Sequence, residues 1–385
     1  MAPVRDSLVA ADDFPASRRS TYLNTASVAL VYAGAQRALI EWQAEISEHG
    51  TARFDEKAEA SVFDGLHDAA ARLLGAHPED IAVGSNATEL MGSLAWAVAP
   101  PAGSNIVTSE AVFPSTVYPW ARVARHTGAE VRYAPERREA NPDEDVMRLI
   151  DQQTAIVCVS HVEYGGGHTY DLARLTQAAH DHDALIVVDA TQSAGAIPVD
   201  VIETGVDALV TAGYKWLCGP FGVAFLYLAR HLQERLDPGV VGFRSHRDMW
   251  DLRADRIHYP ASARRFEVST MAYGCALGLA ESVRYLMQLG VERIAAHNGR
   301  LAAALTAGLR ERGAEIAPVG SSGPITSSIV SARFPRVESP KLAAQLNGSE
   351  VVVSPRGDWV RFSPHLYNDD DDIERALAQI DSLRA

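Results

Sequence analysis

Short apolar runs alternate with amphipathic segments between about residues 80 and 228. Short runs rich in β-branched residues are typical of strands that are buried on both faces. We predict strands at residues 81–84, 105–108, 130–133, 155–160, 185–189, 208–211 and 222–228. Within segment 171–183, Leu172, Leu175 and Ala179 recur at the spacing of one helix face. This alternation predicts an α/β domain built on a mostly parallel seven-stranded sheet.

The pattern changes after Pro260. Longer segments with helical periodicity come first, then shorter β-rich runs, then an acidic run at 370–372 that suits the start of a last helix. The elements predicted here are helices at 271–289 and 291–313, strands near 327–334 and 350–362, and a helix from about residue 370. This order predicts a smaller α+β domain at the C-terminal end.

The length of the chain agrees with two domains. At 385 residues it exceeds the size at which one hydrophobic core usually stops growing. We expect a large ligand-binding domain of residues 21–260 and a small domain of residues 261–385, which an N-terminal arm of residues 1–20 joins. No low-complexity stretch or long linker separates the two domains, so we expect them to pack closely.

Charge and composition exclude several classes of protein. The chain carries 35 Lys and Arg against 49 Asp and Glu, a formal charge of −14, so we expect no nucleic-acid partner. No uncharged apolar run reaches the ~18 residues of a membrane span, and the N-terminus lacks the apolar stretch of a signal peptide. We therefore expect a cytoplasmic protein without a membrane partner. The three cysteines lie far apart and predict neither a disulfide framework nor a metal site.

The most informative segment runs from Asp189 to Lys215. Both residues follow β-rich runs, at the strand ends where open α/β sheets bind ligands. Pyridoxal 5′-phosphate (PLP) requires this pair, a lysine that holds the cofactor and a carboxylate that keeps its pyridine nitrogen protonated. Asp189 alone could be a helix cap. Lys215, however, stands beside the apolar Trp216 and a Gly-Pro bend, where an ammonium bears a desolvation cost that a catalytic role explains.

Two other interpretations compete with that of a PLP enzyme. A nucleotide-binding α/β protein is disfavoured, because the chain has neither G-x-G-x-x-G after its first strand nor G-x-x-x-x-G-K-[ST]. A binding scaffold that had lost catalysis would lack the lysine, and Lys215 is present. A near-visible absorption band in the purified protein would discriminate between a PLP enzyme and a nucleotide-binding protein.

The segments 188–192 (VDATQ), 212–216 (AGYKW) and 219–222 (GPFG) resemble the class V aminotransferase family. This family of fold-type I PLP-dependent enzymes includes cysteine desulfurases, kynureninase and isopenicillin N epimerase. The resemblance runs from about Tyr22 to Asn368. It implies PLP as the cofactor, an amino acid as the substrate, and a large PLP-binding domain followed by a smaller one.

The resemblance also implies which residues contact the cofactor. Lys215 is the implied catalytic lysine, Asp189 the partner of the pyridinium and Gln192 a donor to the phenolic oxygen of PLP. Tyr214 is an implied phosphate ligand. The full set of implied cofactor residues is Ala87, Thr88, Phe113, Asp189, Gln192, Tyr214, Lys215 and Thr270.

Three of these assignments have a structural alternative or a consequence for assembly. Ala87 and Thr88 follow a strand and open a helix, where free N–H groups bind phosphate, although such a turn can also be a simple cap. Phe113 takes the place of the ring-stacking histidine of desulfurases, and segment 112–120 could instead be a packed aromatic loop. Thr270 matches a residue that reaches the phosphate of the other subunit, which implies a homodimer.

Candidate substrate residues lie in three further segments. Arg361 on a predicted strand offers a guanidinium for the substrate carboxylate, as the family implies, and Arg356 is a second candidate. Tyr164 follows a predicted strand and precedes three glycines, in a loop that either faces the substrate or merely turns. Asn24 matches an N-terminal segment that borders the substrate in relatives.

We expect β-elimination on an S-substituted cysteine, a C–S lyase reaction, because Lys215 alone supplies the base that it needs. The alternatives are an epimerase like isopenicillin N epimerase, an aminotransferase, and a decarboxylating or deaminating enzyme. Epimerisation needs a second base, for which Tyr164 or His161 is available. A persulfide-forming desulfurase is not expected, because segment 353–362 has no cysteine where those enzymes carry their nucleophile.

Overall fold

The computed structural model describes residues 8–137, 141–318 and 327–384. Its strands are β1 (Thr21–Tyr22), β2 (Ile81–Gly84), β3 (Asn105–Ser109), β4 (Glu130–Ala134), β5 (Thr154–Ser160), β6 (Leu185–Asp189), β7 (Ala208–Ala212), β8 (Ala224–Leu228), β9 (Glu315–Ile316), β10 (Val330–Arg333), β11 (Val351–Val352), β12 (Ser354–Arg356) and β13 (Trp359–Phe362). Its helices are α1 (Ala33–His49), α2 (Glu56–Ala60), α3 (Asp64–Leu74), α4 (Ala87–Val98), α5 (Pro114–Thr127), α6 (Pro142–Met147), α7 (Leu172–His180), α8 (Val201–Thr204), α9 (Arg230–Gln233), α10 (Tyr273–Leu289), α11 (Val291–Glu311), α12 (Ser339–Gly348) and α13 (Asp370–Arg384).

The large sheet contains all of the strands predicted between residues 81 and 228. Their order across the sheet is β2, β8, β7, β6, β5, β3 and β4. All are parallel to one another except β8, which pairs antiparallel with both β2 and β7. On β6, Ile186 and Val188 pack into one buried cluster and Val187 into another. Burial on both faces explains why these strands are continuous apolar runs, and the predicted mostly parallel α/β fold is confirmed.

Helices cover both faces of this sheet. On one face α4 and α5 pack through Leu90, Leu94 and Trp120. On the other face lie α3, α7 and α10, and α10 also packs along α1. The carboxyl ends of the parallel strands therefore open between two helical layers, at the edge where α/β folds place their ligands.

A smaller α+β unit follows. Strands β12, β13, β10 and β9 form an antiparallel sheet, and its core includes Leu305, Phe362 and Ile380. Strand β1 pairs in parallel with β11, so the N-terminal segment is attached to this unit. The division of the chain at residue 260 stays a prediction. In the structure α10 packs against α1 and α3, whereas α11 contributes to the smaller core from Leu301 onward.

Two local predictions are corrected. The aromatic segment 112–120 is helical from Pro114 rather than a packed loop, because proline is favoured in the first turn of a helix and Phe113 stands at the N-cap. The β-rich run 350–362 is divided into β11, β12 and β13, because a turn at Gly357, whose φ is +54°, reverses the chain. Within the described ranges, no helix combines the length and the apolar character that crossing a membrane requires.

Candidate active site

Strand ends meet at the carboxyl edge of the large sheet. Here β5 ends at Ser160, β6 at Asp189 and β7 at Ala212. With the start of α4, the loops after them enclose a cavity of about 80 Å³, which we call the strand-end cavity. The residues that line it are Asn86, Ala87, Thr88, Phe113, Ser115, Ser160, Val162, Tyr164, Asp189, Thr191, Gln192, Ala212, Tyr214 and Lys215.

The Asp189 carboxylate is fixed by one donor on each oxygen. Its Oδ2 accepts a hydrogen bond from the Thr116 hydroxyl at 2.7 Å, and its Oδ1 accepts one from the Thr191 backbone N–H at 2.9 Å. Both donors are neutral, so they orient the carboxylate without supplying a countercharge. A cationic group in the cavity would therefore interact favourably with Asp189.

Lys215 is buried, with 7% of its surface exposed. Its Nζ lies 5.4 Å from the centre of the Phe113 ring. Burial lowers the pKa of Lys215 to about 8, against the opposing effect of the Asp189 carboxylate. A lysine with such a pKa is partly unprotonated near neutral pH, so its amine can attack a carbonyl carbon or accept a proton.

The N-terminus of α4 faces the same cavity. The Asn86 side chain caps the helix by accepting a hydrogen bond from the N–H of Glu89 at 2.9 Å. The N–H groups of Ala87 and Thr88, also in the first turn, have no acceptor within the helix. Together with the helix dipole, these groups form a site that suits an anion.

Aromatic rings form two walls of the cavity. The Phe113 ring contacts the Tyr164 ring edge to face, with centroids 5.3 Å apart, and Phe113 remains 42% exposed. The Tyr214 ring stacks on that of Phe221, with centroids 4.7 Å apart. An exposed phenyl ring in a cavity wall is a favourable contact for a flat heterocycle.

Two arginines converge on one hydroxyl beside the cavity. Arg361, 1% exposed, donates from Nη2 to Ser27 Oγ at 2.6 Å and from Nη1 to the Tyr164 carbonyl at 2.7 Å. Arg356 donates from Nη2 to the same Ser27 oxygen at 3.0 Å. Burial, together with the charge of Arg356, lowers the pKa of Arg361 to about 9. Among the described residues neither guanidinium is paired with a carboxylate, so the two together favour an anionic ligand.

Sequence comparison decides the family. The model of the class V aminotransferases matches residues 25–375. The chain belongs to the class V aminotransferases. An uncharacterised aminotransferase of Bacillus subtilis strain 168 is 28% identical, over 95% of this chain and 95% of the relative. A cysteine desulfurase of Haloferax volcanii is 29% identical, over 85% of this chain and 80% of the relative.

Solved structures show the same architecture. The apo structure of a cysteine desulfurase from Thermococcus onnurineus NA1 covers 100% of this chain and 99% of its own, with a TM-score of 0.87 at 24% identity. The cystine C-S lyase C-DES, in complex with its product cysteine persulfide, covers 95% of this chain and 98% of its own, with a TM-score of 0.86 at 22% identity. These structures confirm the fold-type I architecture.

Family membership confirms that this class V aminotransferase is a PLP-dependent enzyme. Lyase chemistry is in keeping with the cysteine desulfurase among its sequence relatives. The residues that line the strand-end cavity also suit PLP by their chemistry. They combine a buried amine, a strand-end carboxylate and a helix N-terminus, which suit the aldehyde, ring nitrogen and phosphate of the cofactor respectively.

The structure brings most of the predicted site residues together. Those that line the strand-end cavity are Ala87, Thr88, Phe113, Tyr164, Asp189, Gln192, Tyr214 and Lys215. Thr270 does not line it and is exposed just before α10. Asn24 lies beside the arginine pair, where its Oδ1 accepts a hydrogen bond from the Ser354 hydroxyl at 2.9 Å. His161 is buried and lines neither this cavity nor the larger one next to it, and its role as a base stays a prediction.

The Gln192 side chain, predicted to donate to the phenolic oxygen of PLP, already makes two hydrogen bonds within the protein. Its Nε2 donates to the Ala26 carbonyl at 3.0 Å, and its Oε1 accepts from Trp216 Nε1 at 2.7 Å. An amide nitrogen carries two hydrogens, so one donor is left for a cofactor oxygen. The bond to Ala26 also attaches the N-terminal segment to the site.

Sequence reasoning missed three residues that orient the site. Thr191 follows Asp189 by two positions, and this short Asp-x-Thr spacing is a local signal for the N–H bond that it makes. Thr116 comes from α5, and nothing in the sequence places its hydroxyl on Asp189. Ser27 could have been suspected only from the need of the buried Arg361 guanidinium for an acceptor.

The lowered pKa of Lys215 predicts how fast the apoenzyme takes up PLP. Only the unprotonated amine attacks the aldehyde, so we expect the rate of covalent capture to rise with pH, reach half its maximum near pH 8, and then level off. Stopped-flow absorbance of apoenzyme mixed with PLP measures this rate. A rate that first rises near pH 10, as for an ordinary lysine, would contradict the assignment.

Proposed function

We propose that this class V aminotransferase is a C–S lyase that eliminates the sulfur substituent of an S-substituted cysteine. One observation carries the proposal. Among the described residues that line the strand-end cavity, Lys215 is the only amine, and no histidine or cysteine lines it. This set fits a reaction that needs one base and no protein nucleophile, whereas epimerisation would need the Tyr164 phenol, which also lines the cavity, to act as a second base on the opposite face of the substrate.

The chain's own residues suffice to hold the cofactor. Lys215 would hold PLP covalently, Asp189 would face its ring nitrogen, and the N–H groups of Ala87 and Thr88 would receive its phosphate. Phe113 would cover one face of its ring. When bound, PLP stabilises the electron pair that is left at Cα of the amino acid after a proton departs.

Arg361 positions the substrate by its carboxylate. The carboxylate would replace the Ser27 hydroxyl as the acceptor of the Arg361 Nη2 hydrogen bond, and Arg356 would add a second charged donor. Because Arg361 is buried and also bonded to the Tyr164 carbonyl, its guanidinium is oriented before the substrate arrives. A fixed carboxylate places the Cα–H bond in one orientation toward Lys215.

Lys215 then moves the proton. Its Nζ, set free when the substrate amine takes its place on the cofactor, would accept the proton from Cα, and the electron pair of the broken C–H bond would form a Cα–Cβ double bond. The Cβ–S bond breaks as this bond forms, and the sulfur leaves as a thiolate that takes up a proton. Hydrolysis of the remaining three-carbon unit gives pyruvate and ammonia, so each turnover releases one thiol.

The cysteines of the chain support elimination rather than persulfide formation on the protein. Cys158 and Cys218 are buried, and burial raises the pKa of both thiols far above the ordinary value. Cys275, on α10, is partly exposed but lines neither the strand-end cavity nor the larger cavity beside it. A thiol must be ionised and within reach to attack sulfur, and none of these three meets both conditions.

We expect the holoenzyme to release thiol and pyruvate in equal amounts from S-alkyl cysteines. Free thiol is followed with a chromogenic disulfide, pyruvate with a coupled dehydrogenase, and O-methylserine serves as the sulfur-free control. We expect no persulfide on the protein after incubation with cysteine, as measured by mass spectrometry of the intact chain.

Other outcomes would replace this proposal with a different reaction. Racemisation of the amino acid without thiol release would indicate an epimerase, and release of carbon dioxide or ammonia without thiol would indicate a decarboxylating or deaminating enzyme. A protein-bound persulfide would indicate a desulfurase. In each case the PLP dependence would stand.

We also propose that the enzyme is a homodimer whose subunits share their sites. Thr270 is exposed and does not line the strand-end cavity of its own chain, which suits a residue that contacts a partner's cofactor. We expect sedimentation velocity to show a dimer at assay concentrations, and Thr270→Val to weaken PLP binding. A fully active monomer would contradict both statements.

A further inference from the structure

A second, larger cavity lies next to the strand-end cavity. Its volume is about 390 Å³, and Tyr164 lines both cavities. Its walls come from the loop 163–166, the ends of β3 and β4, and the turn between β12 and β13. Arg356, one of the two arginines proposed for the substrate carboxylate, also lines it. A substrate held at this arginine and at Lys215 would therefore direct its side chain toward the larger cavity, which we call the side-chain cavity.

Among the residues that the structure describes, none is a hydrogen-bond partner of either carboxylate oxygen of Glu163, which lines this cavity with only 3% of its surface exposed. The hydroxyl of Tyr170 lines the same wall and lies close enough to this carboxylate to oppose the rise in its pKa, although within the described ranges neither group completes a hydrogen bond of normal geometry. Burial raises the pKa of Glu163 to about 8, so the free carboxyl is largely protonated near neutral pH and a cation bound beside it would return it to the ionised form. A buried polar group without a partner is costly, and a ligand that supplies the partner removes this cost.

The basic residues around this cavity are engaged elsewhere. Arg137 pairs with Asp145, and His168 Nε2 bonds Asp143 at 2.7 Å. Arg356 donates to the Ser27 hydroxyl. Glu163 is therefore left without a cation in the part of the chain that the structure describes, whereas the arginine pair lacks a carboxylate. This arrangement complements a ligand with a carboxylate at one end and a cation at the other.

We propose that the side-chain cavity binds the side chain of the substrate, and that this side chain is long and ends in a cationic hydrogen-bond donor that Glu163 receives. The inference rests on the proposed function for the position of the substrate. In that reaction the group in the cavity is the sulfur substituent, and the substrates are cysteine conjugates whose substituent carries an ammonium or similar cation.

Binding of unreactive amino acids tests the inference without any elimination. We expect L-lysine to change the near-visible absorption of the holoenzyme with a dissociation constant about tenfold or more below that of L-norleucine, the neutral analogue of similar length. Glu163→Gln preserves the shape of the side chain but not its charge, so the two amino acids should then bind alike. An equal affinity in the wild type, or an unchanged preference in Glu163→Gln, would overturn the proposal.

The space itself is tested by filling it. Within the described part of the chain, a Cβ at Gly166 would meet only the Pro318 carbonyl oxygen, at 3.9 Å, and both residues line the cavity. Gly166→Leu should therefore weaken binding of L-lysine and L-norleucine about tenfold or more and leave that of L-alanine unchanged. Gly299→Leu on α11, where a Cβ meets nothing within 4 Å, is the matched control and should change none of them. Unchanged binding of the long amino acids in Gly166→Leu would contradict this use of the cavity.

The reaction and the inference can fail separately. If S-(2-aminoethyl)-L-cysteine gives no thiol although L-lysine binds with the expected preference, the lyase reaction is wrong and the side-chain cavity stands. If S-propyl-L-cysteine is cleaved as well as the aminoethyl conjugate, the reaction stands and the cationic specificity is wrong.

Discussion

Replacement of Lys215 by alanine is expected to reduce turnover by about a thousandfold or more, because the same amine holds the cofactor and moves the Cα proton. The variant should still bind PLP through the strand-end cavity, but without a covalent bond. Borohydride treatment followed by peptide mass spectrometry should therefore label Lys215 in the wild type and leave the variant unlabelled. This measurement tests the role of the lysine independently of any substrate.

The chain supplies its own control for this experiment. Its other two lysines, Lys57 and Lys341, are exposed, so their substitution by alanine should change neither turnover nor labelling. Cofactor trapped on either of them, or wild-type turnover by Lys215→Ala, would refute the assignment. A loss of turnover with intact labelling of another residue would equally count against it.

Asp189→Asn is expected to give the second large effect. The amide keeps the shape of the carboxylate but cannot hold a proton on the pyridine nitrogen, so turnover should fall about a hundredfold or more. The Asp189 carboxylate also raises the pKa of Lys215. Its removal should lower that pKa, so the rate of PLP capture should reach half its maximum at a lower pH than in the wild type.

Thr116→Val is the matched comparison, because it removes one donor to Asp189 Oδ2 and leaves the charge in place. The loss of one hydrogen bond should reduce turnover about tenfold or less and should not move the pH profile of capture. If Asp189→Asn retained the wild-type rate and profile, the carboxylate would have no part in holding the cofactor.

The fold was predictable because the decisive signals are local. Parallel strands buried on both faces appear as uninterrupted apolar runs, and Lys215 and Asp189 each follow such a run. The residues that line the strand-end cavity follow strand ends or open helices, so local patterns and the family resemblance both identify them. Even the cap at Asn86 follows from its position before a helix.

The remaining features depend on contacts between distant parts of the chain. The Ser27 hydroxyl accepts a hydrogen bond from Arg361 on β13, and Glu163 is buried by loops from both the large sheet and the smaller unit. Neither fact has a signature in local periodicity, because burial without a partner is decided only when the separate loops come together. The reversal at Gly357 is similar, since a β-rich run does not reveal where it turns.

The position of β8 has a consequence for the order in which the molecule can fold. Strand β2 leads into α4, whose N-terminus is the proposed phosphate site. In the sheet β2 pairs with β8, which lies much later in the chain. During synthesis the ribosome must therefore release the chain through Leu228 before β2 has its neighbour. Because long-range pairing closes a large loop at an entropic cost, the phosphate-binding side of the site is assembled late, after the parallel strands around Asp189 are already available.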